Sequence, residues 1–208
     1  SPWTVWLYEN GTGRMTQVDS NGTTIRQFQL PADAGSHYSQ NVAISADGLL
    51  AGYAAGNATA TYVSIYDLTT NSIIYSYSLP ANAITSLDFS GSAFNFSDGN
   101  STFAFGFANE SFGWQIIVID IITFSNFSLK ETDVPLAALP ASNGFMLPAI
   151  TYNRNQYVKF AMVPLGADGI SMFDAYSWKM GETGISREDS YIQLDSDTLP
   201  LTSDVIMT

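Results

Sequence analysis

The chain has 208 residues, 46% hydrophobic, 13% aromatic and only 12% charged, too apolar for a disordered segment and long enough to bury a sizeable core. Seven Lys and Arg against nineteen Asp and Glu leave a formal charge of -12, which opposes nucleic acid as a partner, and the basic residues lie scattered from Arg14 to Arg187 with no cluster for an anionic membrane. No apolar run reaches the roughly 18 residues of a membrane span, and cysteine is absent, which removes disulfides, thiolate nucleophiles and thiolate metal sites together.

From the N-terminus, Thr4 to Tyr8, Arg14 to Asp19 and Thr24 to Leu30 read as three strands, and Gln29-Leu30-Pro31 ends them as Ser78-Leu79-Pro80 ends the next unit. No basic-then-apolar leader opens the chain, so any signal segment is expected to lie outside this sequence. The clearest unit spans Asn41 to Pro80: Val42 to Ser45, Leu49 to Ala55, Tyr62 to Leu68 and Ile73 to Leu79, with turn signals at Ala46-Asp47-Gly48 and Thr69-Thr70-Asn71. Alternation puts Tyr62, Ser64 and Tyr66 on one face and Val63, Ile65 and Asp67 on the other. In the last strand Ile73, Tyr75 and Tyr77 oppose Ile74, Ser76 and Ser78.

The next unit takes Ile84 to Ser90, Thr102 to Ala108, Gln115 to Ile121 and Asn126 to Glu131, followed by an insertion-like loop from Pro135 to Pro148. Another takes Leu147 to Tyr152, Tyr157 to Val163, Ile170 to Ala175 and Tyr191 to Asp195, with a charged excursion at Ser177 to Asp189. Asp67, Asp120 and Asp174 fall late in each third strand at spacings of 53 and 54 residues, which sets the repeat period and points to turn-capping carboxylates. Val205 to Thr208 reads as a lone first strand. Pairing it with Thr4 to Tyr8 would close four sheets into a ring without free edges; the alternative is a segment of a larger ring.

The run Ile44-Ser45-Ala46-Asp47-Gly48-Leu49-Leu50-Ala51, with Val63-Ser64-Ile65-Tyr66-Asp67-Leu68-Thr69-Thr70-Asn71 and Ile73 to Pro80, resembles a blade of the WD40-like and YVTN-type β-propellers. The resemblance implies an all-β propeller, here a single domain over 1–208. Its blades fall at about 1–31 with 204–208, 41–80, 84–131 and 147–196. Ser90-Gly91-Ser92 and Asn153-Arg154-Asn155 depart from the Asp-Gly turn of the motif, and the Gly-His and Trp-Asp pairs of true WD40 repeats do not occur. A propeller carries many activities, so the fold does not name one.

Chemistry is sparse. His37 is the only histidine, which excludes a His-rich metal cluster; no Gly-x-Ser-x-Gly elbow accompanies it, and a structural role ahead of the strand at Asn41 is expected. Glu188, Asp189, Asp195, Asp197 and Asp204 form the densest acidic region, yet lack the glycine and terminal glutamate of a calcium loop. Trp3, Trp6, Trp114 and Trp178, with Tyr53, Tyr62, Tyr66, Tyr75 and Tyr77, suit either core packing or sugar stacking. Because Trp6 and Tyr8 share a strand face, one alternate set belongs to the core.

Asn-x-Ser/Thr occurs at Asn10, Asn21, Asn57, Asn95, Asn100, Asn109 and Asn126, where roughly two or three matches are expected by chance, and so marks N-glycosylation candidates on an extracytoplasmic surface. The resulting expectation is a non-catalytic module, secreted, lumenal or on the cell surface, that binds a protein or glycan partner without a cofactor. Its binding loops are expected at Asp33 to Gln40, Ala81 to Asn82 and Pro135 to Leu147. Alternatives are a carbohydrate-binding protein or glycan-active enzyme, and a structural segment of a larger surface assembly.

Overall fold

A computed structural model describes residues 3–9, 11–32, 37–57, 59–80, 83–84, 94–97, 99–109, 113–133, 151–153, 157–162 and 171–194. Among them, antiparallel strands form four sheets. The first holds β1 (Thr4–Glu9), β2 (Arg14–Asp19) and β3 (Thr24–Gln29). The second holds β4 (His37–Ile44), β5 (Leu50–Gly56), β6 (Thr61–Asp67) and β7 (Ser72–Ser78). In the third, β10 (Thr102–Asn109), β11 (Gly113–Asp120) and β12 (Asn126–Lys130) follow two short pieces, β8 (Ala83–Ile84) and β9 (Phe94–Phe96), both paired with β10. The fourth holds β13 (Thr151–Asn153), β14 (Tyr157–Met162), β15 (Ser171–Lys179) and β16 (Ile185–Leu194).

The outer hairpins share one device. Asp67 closes β6 and its Oδ1 accepts the backbone N–H of Thr69 and Thr70; Asp120 closes β11 and accepts those of Ile122 and Thr123. Asp19, at the end of β2, does the same for Asn21 and Thr23. A carboxylate placed there satisfies turn donors that the ladder leaves over. Asp174 does not belong to this set: it lies inside β15, opposite Met162 and Ser190. The true first-sheet counterpart is Asp19. The stretch from Ser177 is likewise no excursion, because β15 continues to Lys179 and β16 starts at Ile185. A short turn joins them in which Trp178 Nε1 donates to the Glu182 carbonyl at 2.7 Å and Lys179 pairs with Glu182.

The inner turns also repeat. Ser45 N–H donates to the Leu50 carbonyl and Leu50 N–H to Ser45 Oγ, with Gly48 at φ 70°. Ser97 and Thr102 make the same pair of bonds, and Asn100, at φ 56° with its N–H on the Ser97 carbonyl, stands where Gly48 does. The counterpart of the turn at Ser45 therefore opens at Ser97, with asparagine in place of the motif's glycine, and the strand before it is Phe94–Phe96; Ser90-Gly91-Ser92 lies outside the described residues. Of the strand expected at Ile84 to Ser90, only Ile84 is described. His37 opens β4 opposite Gly56 instead of preceding the strand.

Apolar faces fuse the sheets. Val63, Ile65, Ala54 and Leu79 of the second sheet pack with Phe94, Phe96, Phe103, Phe105 and Ile117 of the third. Gly52 makes that approach possible, since a methyl there would overlap the Phe103 ring. On the opposite face Ala51, Tyr53 and Tyr66 bury against Met15 and Leu30, with Trp6, Tyr8 and Phe28 at the margin, so the Trp6 and Tyr8 face is the core face.

Polar links also tie neighbouring sheets. Arg26 lies over the rings of Trp6 and Phe28, at 4.9 and 5.2 Å from their centroids, and donates to Gln17 Oε1 and to the Gly48 carbonyl of the second sheet. Asn100 Oδ1 accepts the Ala46 N–H at 3.0 Å across the second and third sheets. No helix among the described residues is long and apolar enough to cross a membrane. Residues 195–208 lie outside the described residues, and with them the expected closing strand Val205 to Thr208.

Candidate functional site

The face of the second sheet that turns toward the first is buried at one end and open at the other, and the open end is a groove of about 210 Å³. Its floor follows from strand register: Tyr53, Ser64 and Ser76 are direct partners across β5, β6 and β7. Two serines in a row where Tyr53 is large leave the space. The Ser64 and Ser76 hydroxyls bond to each other at 3.2 Å. One wall is the chain leaving the first sheet, Pro31 and Ala32, fixed by the Tyr53 hydroxyl donating to the Pro31 carbonyl at 2.7 Å.

Ile73 reaches the groove because the ladder slips. A β-bulge between the Ile65 and Tyr66 pairs puts Ile73 opposite Tyr66, while Tyr75 stays opposite Ile65. Strict alternation assigned Ile73 to the Tyr75 and Tyr77 face. The bulge moves it to the groove and leaves Ile74 packing with Tyr75 and Tyr77 against the inter-sheet core.

The rim is the β5–β6 turn. Asn57 Oδ1 accepts the N–H and hydroxyl of Thr59 and the N–H of Ala60, at 2.8 to 3.0 Å; this orients its amide. Tyr62, next to the rim, keeps 38% of its surface exposed. Every described residue lining the groove is uncharged, in a chain of net charge -12. The surface presents hydroxyls, an amide and aromatic and aliphatic carbon.

Charged groups with shifted pKa lie elsewhere, in the turns. The Ser45 hydroxyl, at 2.6 Å, holds the Asp47 carboxyl below its ordinary value, helped by Leu49 N–H and Asn100. Thr69 does the same for Asp67, through its hydroxyl and then its N–H, and the Thr123 N–H and hydroxyl do so for Asp120. These carboxylates accept bonds within their own turns, as capping groups do.

The other expected sites are dispersed. Asn21 and Asn126 are exposed, Asn57 is half-buried at the groove, and Asn100 is half-buried in the link to Ala46. Asn95 lies in β9 and Asn109 ends β10; Asn10 lies outside the described residues. Also outside are Asp195, Asp197 and Asp204, the loops Ala81 to Asn82 and Pro135 to Leu147, and Asp33 to Ser36; His37 to Gln40 belong to β4. Of the aromatics, Tyr53, Tyr66 and Trp178 are buried, Trp3 is exposed, and Tyr62 alone of the named set reaches the groove rim. The groove is missed by sequence reasoning because it depends on Pro31 and Ala32 meeting the middle of another sheet.

No protein-family model matches the chain, and no curated protein matches it by sequence. Solved structures are similar to it in fold. TolB from Acinetobacter baumannii superposes with a TM-score of 0.51 at 13% identity, over 88% of this chain and 40% of TolB. Hydrazine synthase from Kuenenia stuttgartiensis gives 0.53 at 9% identity, over 83% and 49%. The β-propeller domain of the Trilobed protease from Pyrococcus furiosus, of open velcro topology, gives 0.50 at 10% identity, over 93% and 54%. The chain thus spans 40 to 54% of the length of these proteins. At such identities the likeness speaks to fold: the protein is all-β, and its sheets are β-propeller blades.

Proposed function

We propose that this chain is a non-catalytic binding module, of the YVTN or WD40-like type, that works outside the cytoplasm and holds a protein or glycan partner on the exposed face of its propeller. The observation that carries the reading is the groove: an open, uncharged surface rich in hydroxyls, set on two blades held together by a shared core and the Arg26 link. Serine hydroxyls that bond only to each other and an amide committed to its own turn favour recognition over turnover. The Ser-x-Asp-Gly turn with its counterpart at Ser97, and the repeated Asp hairpin, support the repeat type. The excess of Asn-x-Ser/Thr favours an extracytoplasmic setting, with the exposed Asn21 and Asn126 as the positions best placed to carry glycans. The acidic balance disfavours nucleic acid.

Two measurements test this reading. Offered a panel of glycoside and ester substrates, the protein should release no product above buffer; turnover that disappears on changing a single acid such as Asp195 would overturn the non-catalytic reading. Protein isolated from its own organism and treated with peptide N-glycosidase in heavy-oxygen water should show labelled aspartate at Asn21 or Asn126. Unlabelled peptides at all of the sequons would remove the glycoprotein element.

A further inference from the structure

We propose that the groove on the second blade is a subsite for one neutral pyranose ring. This rests on reading the groove as a binding surface, and it names the ligand class. The chemistry of the walls selects it by elimination. A charged ligand would shed water into a site whose described lining residues offer no countercharge. A wholly apolar ligand would strip water from the Ser64–Ser76 hydroxyl pair and the Asn57 amide and give nothing back. A pyranose matches both kinds of surface, because its C–H face is apolar and its hydroxyls ring the edge.

Each wall has a part. Tyr62, 38% exposed at the rim, offers a ring face for stacking. The serine pair holds two hydroxyl hydrogens and spends one between its members, so one donor and several lone pairs remain for sugar hydroxyls. The Asn57 oxygen is saturated by three bonds from its own turn, which leaves the NH₂ as the donor of that side chain and fixes its orientation before any ligand arrives. Ile73, brought over by the bulge, supplies apolar surface beside Ser76. The volume of about 210 Å³ leaves room for one ring between these walls.

The test titrates the protein with methyl glucoside, methyl galactoside and methyl mannoside to about 50 mM, well above the roughly millimolar Kd of a one-ring ligand, followed by saturation-transfer and ¹H–¹⁵N NMR. Glucuronate and cyclohexanol serve as the charged and apolar probes. At least one neutral glycoside should saturate, with amide shifts at Asn57, Tyr62 and Ser76, and glucuronate and cyclohexanol should bind at least tenfold more weakly. Tyr62→Ala should weaken glycoside binding at least tenfold and Tyr62→Trp should retain it. Should Tyr62→Ala fail to fold, Ser76→Leu at an exposed position fills the groove and must abolish binding with an unchanged melting temperature. Silence of all neutral glycosides, equal binding of glucuronate, or full binding by Ser76→Leu overturns the proposal. If glycosides are silent while a protein partner binds and is lost in the Tyr62 variant, the pyranose inference alone falls. If turnover of a substrate appears, the binding-module reading falls with it.

Discussion

Thr102 opens β10 with a hydroxyl that is buried and bonded to nothing among the described residues. A buried polar atom without a partner costs about 1–3 kcal/mol, and valine fits a strand as well as threonine. Thr102→Val should therefore raise stability by about 1 kcal/mol, read as an upward shift in the urea midpoint. Phe124 poses the opposite balance. Its φ of 55° is a left-handed value that Asn71 adopts in the equivalent turn of the second sheet, and a bulky residue there is strained by about 1–2 kcal/mol. Stacking on Tyr75, at 5.5 Å and 13°, returns about 0.5–1.5 kcal/mol. The terms nearly cancel, so Phe124→Asn should be close to neutral alone, yet should stabilise a Tyr75→Ala protein by about 1 kcal/mol. A double-mutant cycle showing the same effect in both backgrounds would discard this account. At this scale the Asp67 hairpin was readable in the sequence because turn residues, Leu-Thr-Thr-Asn, follow it, whereas Asp120, followed by Ile-Ile-Thr-Phe, was placed by the repeat spacing. Asp174 is followed by Ala-Tyr-Ser-Trp, a strand-like run, and spacing without that context misassigned it.

At the level of elements, alternation located the strands of the first two sheets to within a residue or so, except β4, whose first half from His37 it left out, since β-branched and aromatic residues at period two have one stable way to bury a face. It failed where the ladder breaks period. The bulge that delivers Ile73 to the groove inserts one residue, and no composition signal marks it. The third sheet slipped for another reason: phasing on the apolar Leu87-Asp88-Phe89 overlooked Ser97, whose bonds to Thr102 repeat the turn of the second sheet with Asn100 in the place of Gly48. Charge content hid the β15–β16 hairpin, although strands tolerate charge when one face is wet. The small residues of β5 were legible as a strand; their purpose was not, because it depends on Phe103 arriving from another sheet. Gly52→Ala should cost about 1–3 kcal/mol through overpacking against that ring. Gly184→Ala, in open space, should change stability by less than about 0.5 kcal/mol. Thermal melts of the pair separate a packing effect from a general intolerance of methyl groups.

For the whole molecule, pH sets two trends against each other. At pH 7 a net charge of -12 repels itself, and protonating carboxylates relieves this. Asp47, Asp67 and Asp120 work in the other direction, because hydrogen bonds to their ionised forms hold their folded pKa below the ordinary aspartate value. A depressed folded pKa contributes stability that is complete above the unfolded value and is lost as pH falls through the folded one. The melting temperature should therefore hold or rise from pH 7 to about 5 and fall below about 4. Asp67→Asn with Asp120→Asn should flatten the acid limb while leaving the rise from neutral pH in place; an unchanged acid limb in melts from pH 2.5 to 7 would remove these turns as its cause.

Strand order within the sheets has a consequence for synthesis. Every strand of the second sheet pairs with its neighbours in the chain, so a ribosome that has released Leu79 has released all the partners this sheet needs for its ladder. Its face bearing Val63 and Ile65, however, finds cover only with Phe94 to Phe107, residues still to be translated. For that interval the nascent protein carries a finished sheet with an uncovered apolar side, and holding it soluble is work for a chaperone rather than for the fold.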